Sequence, residues 1–386
     1  MKIIKVYPHN YPLHISQNAS IVSASMPYIS YSSFDIKIIS SNTANPVKNE
    51  NIIYVGDIFK ESLNKDTDLS NNINSLVKYE DYLNLVISKI KEINPDLIEV
   101  ELDLDLASDI AKSIGNIPVA LICHLNLIKS SVIKNVKRFF KIRRISAFIF
   151  VSHYFQKRFL RYYPFYKNKT YVVHNSYKHI KEDIIFDTKK ENQIIFLGRA
   201  TKRKGIKEYI KGVSQFLLKN KDWKGVIVGS LEQQKEIDYL NEVIKDESVD
   251  SLIKEGRILI YKNQSNSKAF EELKKSKIAV FPTIPKKHQE GIPMVALEAG
   301  MAKCLIVSST SGGYPEINPF KESILTEVSS KSILEKLEYF SSREEAINSL
   351  SQKQHEFIKE TFLFDKLRQK FDQVRENILK NYRKTH

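Results

Sequence analysis

The stretch IAVFPTIPKKHQEGIPMVALEAGMAKCLIVSS, residues 278–309, decides the fold. It opens on the apolar run IAVFP (278–282) and closes on a second one, LIVSS (305–309). Between them lie a polar loop and PMVALEAGMA (293–302), which reads as a helix. Pro293 suits the first position of that helix, because its missing N–H would be unpaired there in any case. Strand, helix and strand, with strands apolar throughout, predict a parallel sheet covered on both faces.

The loop carries the chemistry. Gly291 lets the backbone approach a ligand closely. The amides of Gly291, Ile292, Met294 and Val295, with Pro293 among them, stand at the positive end of a helix, just past a strand end. That geometry predicts a phosphate site. Glu290 sits at the loop's edge, beside the phosphate. Glu298 lies about a turn and a half into the helix, where a carboxylate accepts from the hydroxyls of a ribose. The pattern suits a nucleotide-sugar, with its sugar at Glu290, its phosphates at the loop and its ribose at Glu298. Cations for the phosphates stand in FLGRATKRKGIKEYI (196–210), after another strand. Arg199 offers a fork and Lys204 a point charge, with Lys202 and Arg203 close by.

The same alternation extends in both directions. Strands are predicted at 2–7, 34–40, 51–56, 96–102, 119–123, 147–152 and 171–174, and again at 194–198, 225–229, 258–261, 278–282 and 305–309. Helices are predicted at 76–93, 205–219, 232–247, 266–275 and 293–302. In VELDLDLASD (100–109) the alternating acids read as a strand end passing into a helix start. Two series imply two doubly wound domains, joined by the charged stretch IKEDIIFDTKKENQ (180–193). The tail from about 329 onward is helical and ends in the amphipathic segment 361–386.

The chain has 386 residues, 42% hydrophobic and 10% aromatic, which fits two folded domains and excludes a disordered chain. Its two cysteines, Cys123 and Cys304, lie in apolar runs and suit a reducing cytoplasm. The apolar run in MKIIKVYPHN is short for a signal peptide, and no stretch approaches the ~18–20 apolar residues of a membrane span. Net charge is +15, and fifteen bases without one acid lie between Asp109 and Glu182, interleaved with aromatics. Such a surface attracts an anionic membrane or stands as a solvated basic face. No nucleic-acid motif accompanies it, so nucleic acid is not expected as a partner.

The elements GRATKRKG (198–205), EGIPMVALE (290–298) and SSTSGGYPEI (308–317), preceded by FVSHYFQKRF (150–159) and VVHNSYKHI (172–180), resemble retaining GT-B glycosyltransferases of family 4. The resemblance covers roughly residues 95–382 and is carried by the order and spacing of these elements. It implies an α/β chain of two Rossmann-like domains facing a cleft. An acceptor-binding domain spans 1–183 and a nucleotide-sugar-binding domain 184–362, and a C-terminal helix, 363–386, crosses back to the first domain. It implies a hexosyltransferase acting without a metal or other cofactor on a nucleotide-sugar, with UDP the expected nucleotide. Donor-binding residues are then Gly198, Arg199, Lys204, Gly229, Lys262, Asn263, Glu290, Gly291, Ile292, Pro293, Met294, Val295 and Glu298. Arg199, Lys204 and Glu290 serve the chemistry, together with His124, which follows Pro118 as in the family's motif and lines the cleft near the transferred sugar.

The family's Gly-Gly loop after the first strand is replaced here by PHNYPLHISQNAS (8–20), in which His9, Asn10 and His14 are polar candidates for the acceptor, with Asn126 a fourth. The C-terminal half looks most like lipopolysaccharide core and surface-polysaccharide transferases. Their acceptors imply a peripheral enzyme at the inner face of the cytoplasmic membrane, with the basic segment 129–169 against anionic lipid. The alternatives are a GT-B enzyme with a soluble acceptor, such as a sugar phosphorylase or sucrose-type synthase, and a non-catalytic nucleotide-sugar-binding protein.

Overall fold

The computed structural model describes residues 1–13, 28–29, 31–43, 46–56, 78–128, 132–177, 189–231, 233–285 and 289–385. The chain divides into two compact units, Met1–Asn175 with Asp365–His386, and Ser176–Phe364.

The first unit is built on seven parallel strands: β1 (Lys2–Val6), β2 (Asp35–Ser41), β3 (Ile52–Val55), β4 (Leu97–Glu101), β5 (Val119–Cys123), β6 (Ala147–Phe150) and β7 (Thr170–Val172). Their order is β3-β2-β1-β4-β5-β6-β7, so the winding reverses between β1 and β4. Helices α1 (Tyr79–Ile93), α2 (Leu104–Ile114), α3 (Val132–Ile142) and α4 (His153–Tyr162) connect them. Helix α1 stops where Asn94 turns left-handed at φ 49°, ahead of Pro95. Helix α2 starts as the alternating acids suggest: the Asp103 carboxylate caps it, accepting from the amides of Asp105 and Leu106. Val100, Leu121 and Phe148 of the sheet pack with Val86, Ile90, Leu106, Ile110 and Phe159 into one buried core.

The second unit has five parallel strands: β8 (Glu191–Arg199), β9 (Lys224–Ser230), β10 (Ile258–Lys262), β11 (Ser276–Phe281) and β12 (Leu305–Ser308). Their order is β10-β9-β8-β11-β12, with the reversal between β8 and β11. Its longer helices are α5 (Ile206–Lys219), α6 (Gln234–Ile244), α7 (Glu247–Lys254), α8 (Asn266–Lys275), α9 (Met294–Met301), α10 (Ser330–Ser341) and α11 (Glu344–Thr361). The helix expected over 232–247 is α6, Gln234–Ile244; a further helix, α7, follows where Asp246 leaves helical geometry and its carboxylate accepts from the Ser248 amide. Ile194, Phe196, Ile227, Ile278, Val280 and Val307 form the centre of this core.

The last helix, α12 (Phe364–Thr385), belongs to the first unit. Its Phe371, Val374 and Ile378 are buried. Tyr382 donates to the Gly115 carbonyl at 3.1 Å and Asn381 to the Tyr171 hydroxyl at 3.2 Å. The tail thus crosses back to the N-terminal domain, as the fold class requires.

Candidate active site

In the second unit, charged residues gather at the carboxyl ends of β8 and β11, where the winding reverses and open parallel sheets bind ligands. Arg199 ends β8. A single 3-10 turn, Lys202–Lys204, follows, and Gly205 enters α5 with φ 74°. A Cβ at Gly205 would lie 2.0 Å from the Pro282 carbonyl oxygen, so only glycine lets this turn sit against the chain leaving β11. Lys202 and Arg203 are exposed, whereas Lys204 is half-buried and ion-paired with Glu290.

Pro293 is the N-cap of α9, one residue ahead of the first helical position expected for it. The amides of Ala296 and Leu297 donate to the Pro293 carbonyl at 3.1 and 3.4 Å, which puts those of Met294 and Val295 ahead of the first intrahelical bond, at the positive end of the helix. Glu298 is half-buried on α9, and desolvation alone raises its carboxyl to about 7. Among the described residues it has no ion-pair partner. The structure thus brings Lys204, Glu290 and the α9 N-terminus together and sets Glu298 further along the helix.

The loop Glu290–Gly291 is clamped from behind by the turn after β12. The Gly313 amide donates to the Glu290 carbonyl at 3.0 Å. A Cβ on Gly312 would lie 2.1 Å from the Glu290 carbonyl oxygen, and one on Gly313 1.8 Å from that of Gly291. Ser309 in the same turn donates to the Thr283 carbonyl at 2.6 Å. Asn263, at φ 50°, accepts from the Leu231 amide at 2.8 Å, and its own amide donates to the Gly229 carbonyl at 2.9 Å. Its side-chain oxygen therefore ties the ends of β9 and β10 together. Lys262 beside it is exposed.

The first unit places His124 just past the end of β5, with Nε2 2.9 Å from Oε2 of Glu101 at the end of β4. Glu101 is fully buried, as are Lys5, Glu99 and Arg375. Burial pushes the Glu101 carboxyl up, but Lys5 and His124 outweigh it and hold the group down at about 2.

The family description "Glycosyl transferases group 1" matches residues 179–360, which hold the whole clamped site. The chain is a glycosyltransferase of the GT-B fold, and the group 1 match lies in its C-terminal half. No curated protein sequence matches it. Among solved structures, a glycosyltransferase from Rickettsia africae ESF-5 is 16% identical, with a TM-score of 0.74, and the match covers 98% of this chain and 99% of that one. Anabaena Alr3699/HepE in complex with UDP is 12% identical, with a TM-score of 0.72, over 97% and 100%. Sucrose-phosphate synthase from Thermosynechococcus elongatus is 11% identical, with a TM-score of 0.73, over 98% and 99%. At these identities the likeness shows the shared fold.

The glycosyltransferase's acceptor candidates stand after the first and fifth strands of the first unit. His9 follows β1, with its ring 5.5 Å from that of Tyr79, and Asn10 beside it is exposed. Asn126 follows β5 and accepts from the Ile128 amide at 3.0 Å, closing its own turn. His14 lies outside the described residues. Reasoning from sequence missed Glu101, which it read with the acids of a strand end passing into a helix start, and set Gly312 and Gly313 in a family element without naming what they touch. The signal for Glu101 was available: a charge inside a continuously apolar parallel strand is buried and needs a partner.

Proposed function

We propose that the glycosyltransferase moves a hexose or N-acetylhexosamine from a UDP-sugar to a lipid-linked surface-glycan acceptor, such as growing lipopolysaccharide, with retention and without a metal. The observation that carries this is the Lys204–Glu290 pair beside the α9 N-terminus. Before the donor arrives, the two charges neutralise each other. The diphosphate then takes Lys204, Arg199 and the amides of Met294 and Val295, and the sugar hydroxyls take Glu290. Glu298 accepts from the ribose diol. As the anomeric C–O bond breaks, charge develops on the departing diphosphate, where these donors are already in place. A diphosphate oxygen takes the acceptor's proton. The N-terminal unit binds the acceptor, and His124 is its contribution to the reacting groups.

Helix α3 supports a membrane-bound acceptor. Ile133, Val136 and Phe140 recur at helical spacing and are exposed, whereas Asn135 is buried. The apolar stripe therefore faces out, the reverse of an ordinary surface helix. Phe165 at 93% and Tyr162 at 50% exposure are further exposed aromatics of the same unit. Arg143 lies over the Phe140 ring, while Arg138 and Arg144 are bonded into the fold, to the Leu127 carbonyl and the Ser108 hydroxyl. Exposed aromatics beside basic residues suit an anionic lipid surface. Among the described residues no helix is long and apolar enough to cross a membrane, so the proposed location is peripheral, at the cytoplasmic face.

The test is a thermal-shift panel of nucleotides and nucleotide-sugars on the wild type and Glu298→Ala. A ligand at a hundred times its Kd adds about 2.7 kcal/mol to stability. A shift with UDP and one UDP-sugar, lost in the variant, is expected; no shift with any nucleotide overturns the donor site. Flotation with vesicles containing anionic lipid, weakened by salt, is expected for the acceptor side. Transfer to a soluble sugar with no vesicle binding would favour the sucrose-synthase-like alternative.

A further inference from the structure

Five ionisable side chains run in an unbroken buried line through the N-terminal unit. The register pairs Lys5 of β1 with Glu99 of β4, and Glu101, two residues on, lies on the same face of the sheet. Arg375 of α12 grips Glu99 with two bonds, from Nε at 2.7 Å and Nη2 at 3.1 Å. With Glu99 so held, Lys5 leans to Glu101, 2.6 Å away against 3.5 Å to Glu99. Glu101 passes the line on to His124. At its other end Arg375 donates to Asp372 at 2.8 Å, and Asp372 accepts from the hydroxyls of Ser32 and Ser33, each at 2.9 Å.

Stability alone does not call for this arrangement. Buried ion pairs are often replaceable by apolar residues at no loss, whereas removing one partner is costly. What the line does supply is a fixed, ionised carboxylate at the edge of the ring. An ionised carboxylate only accepts hydrogen bonds, so the nitrogen facing it must carry a proton. That nitrogen is Nε2, and among the described residues Nδ1 has no hydrogen bond.

We propose that Glu101 is a positioning residue, holding His124 with its proton on Nε2 and offering Nδ1 to the substrate, with Lys5, Glu99 and Arg375 locking the carboxylate in place. The proposal rests on the reading that His124 acts on the substrate. The logic is that of any imidazole whose far nitrogen is fixed by a carboxylate: the partner selects the tautomer and the orientation together.

The experiment is nitrogen NMR of histidine-labelled full-length protein, with the His124 ring assigned by its loss in His124→Asn. A protonated Nε2 is expected in the wild type, and a bare Nε2 overturns the proposal whether or not any variant folds. In Glu101→Gln the amide can donate to Nε2, so the proton should leave that nitrogen. kcat should fall about tenfold to a hundredfold, the value of one to two lost substrate hydrogen bonds, with the KM for donor unchanged. A Glu101→Gln protein with wild-type melting, tautomer and kcat would also overturn it. Transfer unchanged in His124→Asn removes His124 from the substrate and takes the proposal with it. A bare Nε2 in an enzyme that needs His124 defeats the proposal alone.

Discussion

At the winding reversal of the C-terminal sheet the charges stand at and beyond the strand ends; at the reversal of the N-terminal sheet they stand inside strands. Arg199 ends β8, Lys204, Glu290 and Glu298 lie beyond β8 and β11, and all four are half-buried, within reach of solvent. Lys5, Glu99 and Glu101 belong to β1 and β4 and are fully buried. The first set is clamped by glycines whose neighbours leave no room for a Cβ. The second is held by mutual charge. A site that must yield to a ligand keeps its charges half-paired on backbone that glycine has shaped. A site that must keep one side chain in one orientation buries its charges and pairs them internally.

The largest expected effect breaks the internal set. Lys5→Met strands Glu101 beside His124 and leaves Glu99 to Arg375. Removing one partner from a buried ion pair costs about 3–5 kcal/mol. Urea unfolding monitored by circular dichroism should show that loss. A loss under about 1 kcal/mol, the range of an exposed pair, would erase the contrast between the two edges.

Next comes the clamp. Gly313→Ala places a Cβ where the Gly291 carbonyl oxygen now lies, 1.8 Å away, so the Glu290 loop must move. Titration calorimetry should show UDP-sugar binding weakened about tenfold to a hundredfold, or about 1.4–2.8 kcal/mol. Unchanged affinity would mean that the loop's position is not set by this turn.

Glu298 sharpens the comparison through pH. Burial raises its carboxyl to about 7 and no cation among the described residues lowers it, whereas Glu101, more deeply buried, is held at about 2 by Lys5 and His124. On the proposed reading the ribose diol donates to the ionised form, so donor binding should release a proton below about pH 7. Affinity for a UDP-sugar, whose diphosphate does not titrate in this range, should therefore rise by up to about tenfold per pH unit below 7 and level off above it. Without ligand the sign reverses: the folded state holds its proton to higher pH than the unfolded chain, so this group's contribution to stability falls as pH rises toward 7. Glu298→Gln should flatten both profiles.

The C-terminal site was legible in the sequence because its parts announce themselves. Arg199, Lys204, Glu290 and Glu298 recur at fixed spacing around Gly291 and Pro293, and strand–helix alternation placed them at strand ends. Gly312 and Gly313 were visible as a turn, but the closeness of their contact with Glu290 is a tertiary fact. Pro293 and the break at Asp246 were off by a cap, where a residue's side chain or missing N–H decides between the last loop position and the first helical one. The N-terminal line was illegible for a different reason. Glu101, Asp103 and Asp105 look alike in VELDLDL, yet Asp103 caps a helix, Asp105 pairs with Lys141 at the surface at 2.7 Å, and Glu101 meets His124. Only the strand register and a helix nearly three hundred residues away separate their roles.

The N-terminal unit is thus inverted twice, with charge inside its sheet and apolar stripe outside on α3. The smallest effect on folding tests the second inversion. Phe165 is 93% exposed and Phe159, one helix earlier, is 1% exposed. Phe165→Ser should leave the melting temperature nearly unchanged, within about 0.5 kcal/mol, because no packing is lost. If lipid covers this face, the same substitution should lower partition onto anionic vesicles about tenfold, since burying a phenyl group contributes about 1.5–3 kcal/mol. Phe159→Ser should do the reverse, losing about 3–5 kcal/mol of stability. A Phe165 variant that melts early would place the residue under some other part of the fold. One that melts normally and still binds vesicles as before would return the basic, aromatic face to plain solvent and leave the acceptor to be sought among soluble sugars.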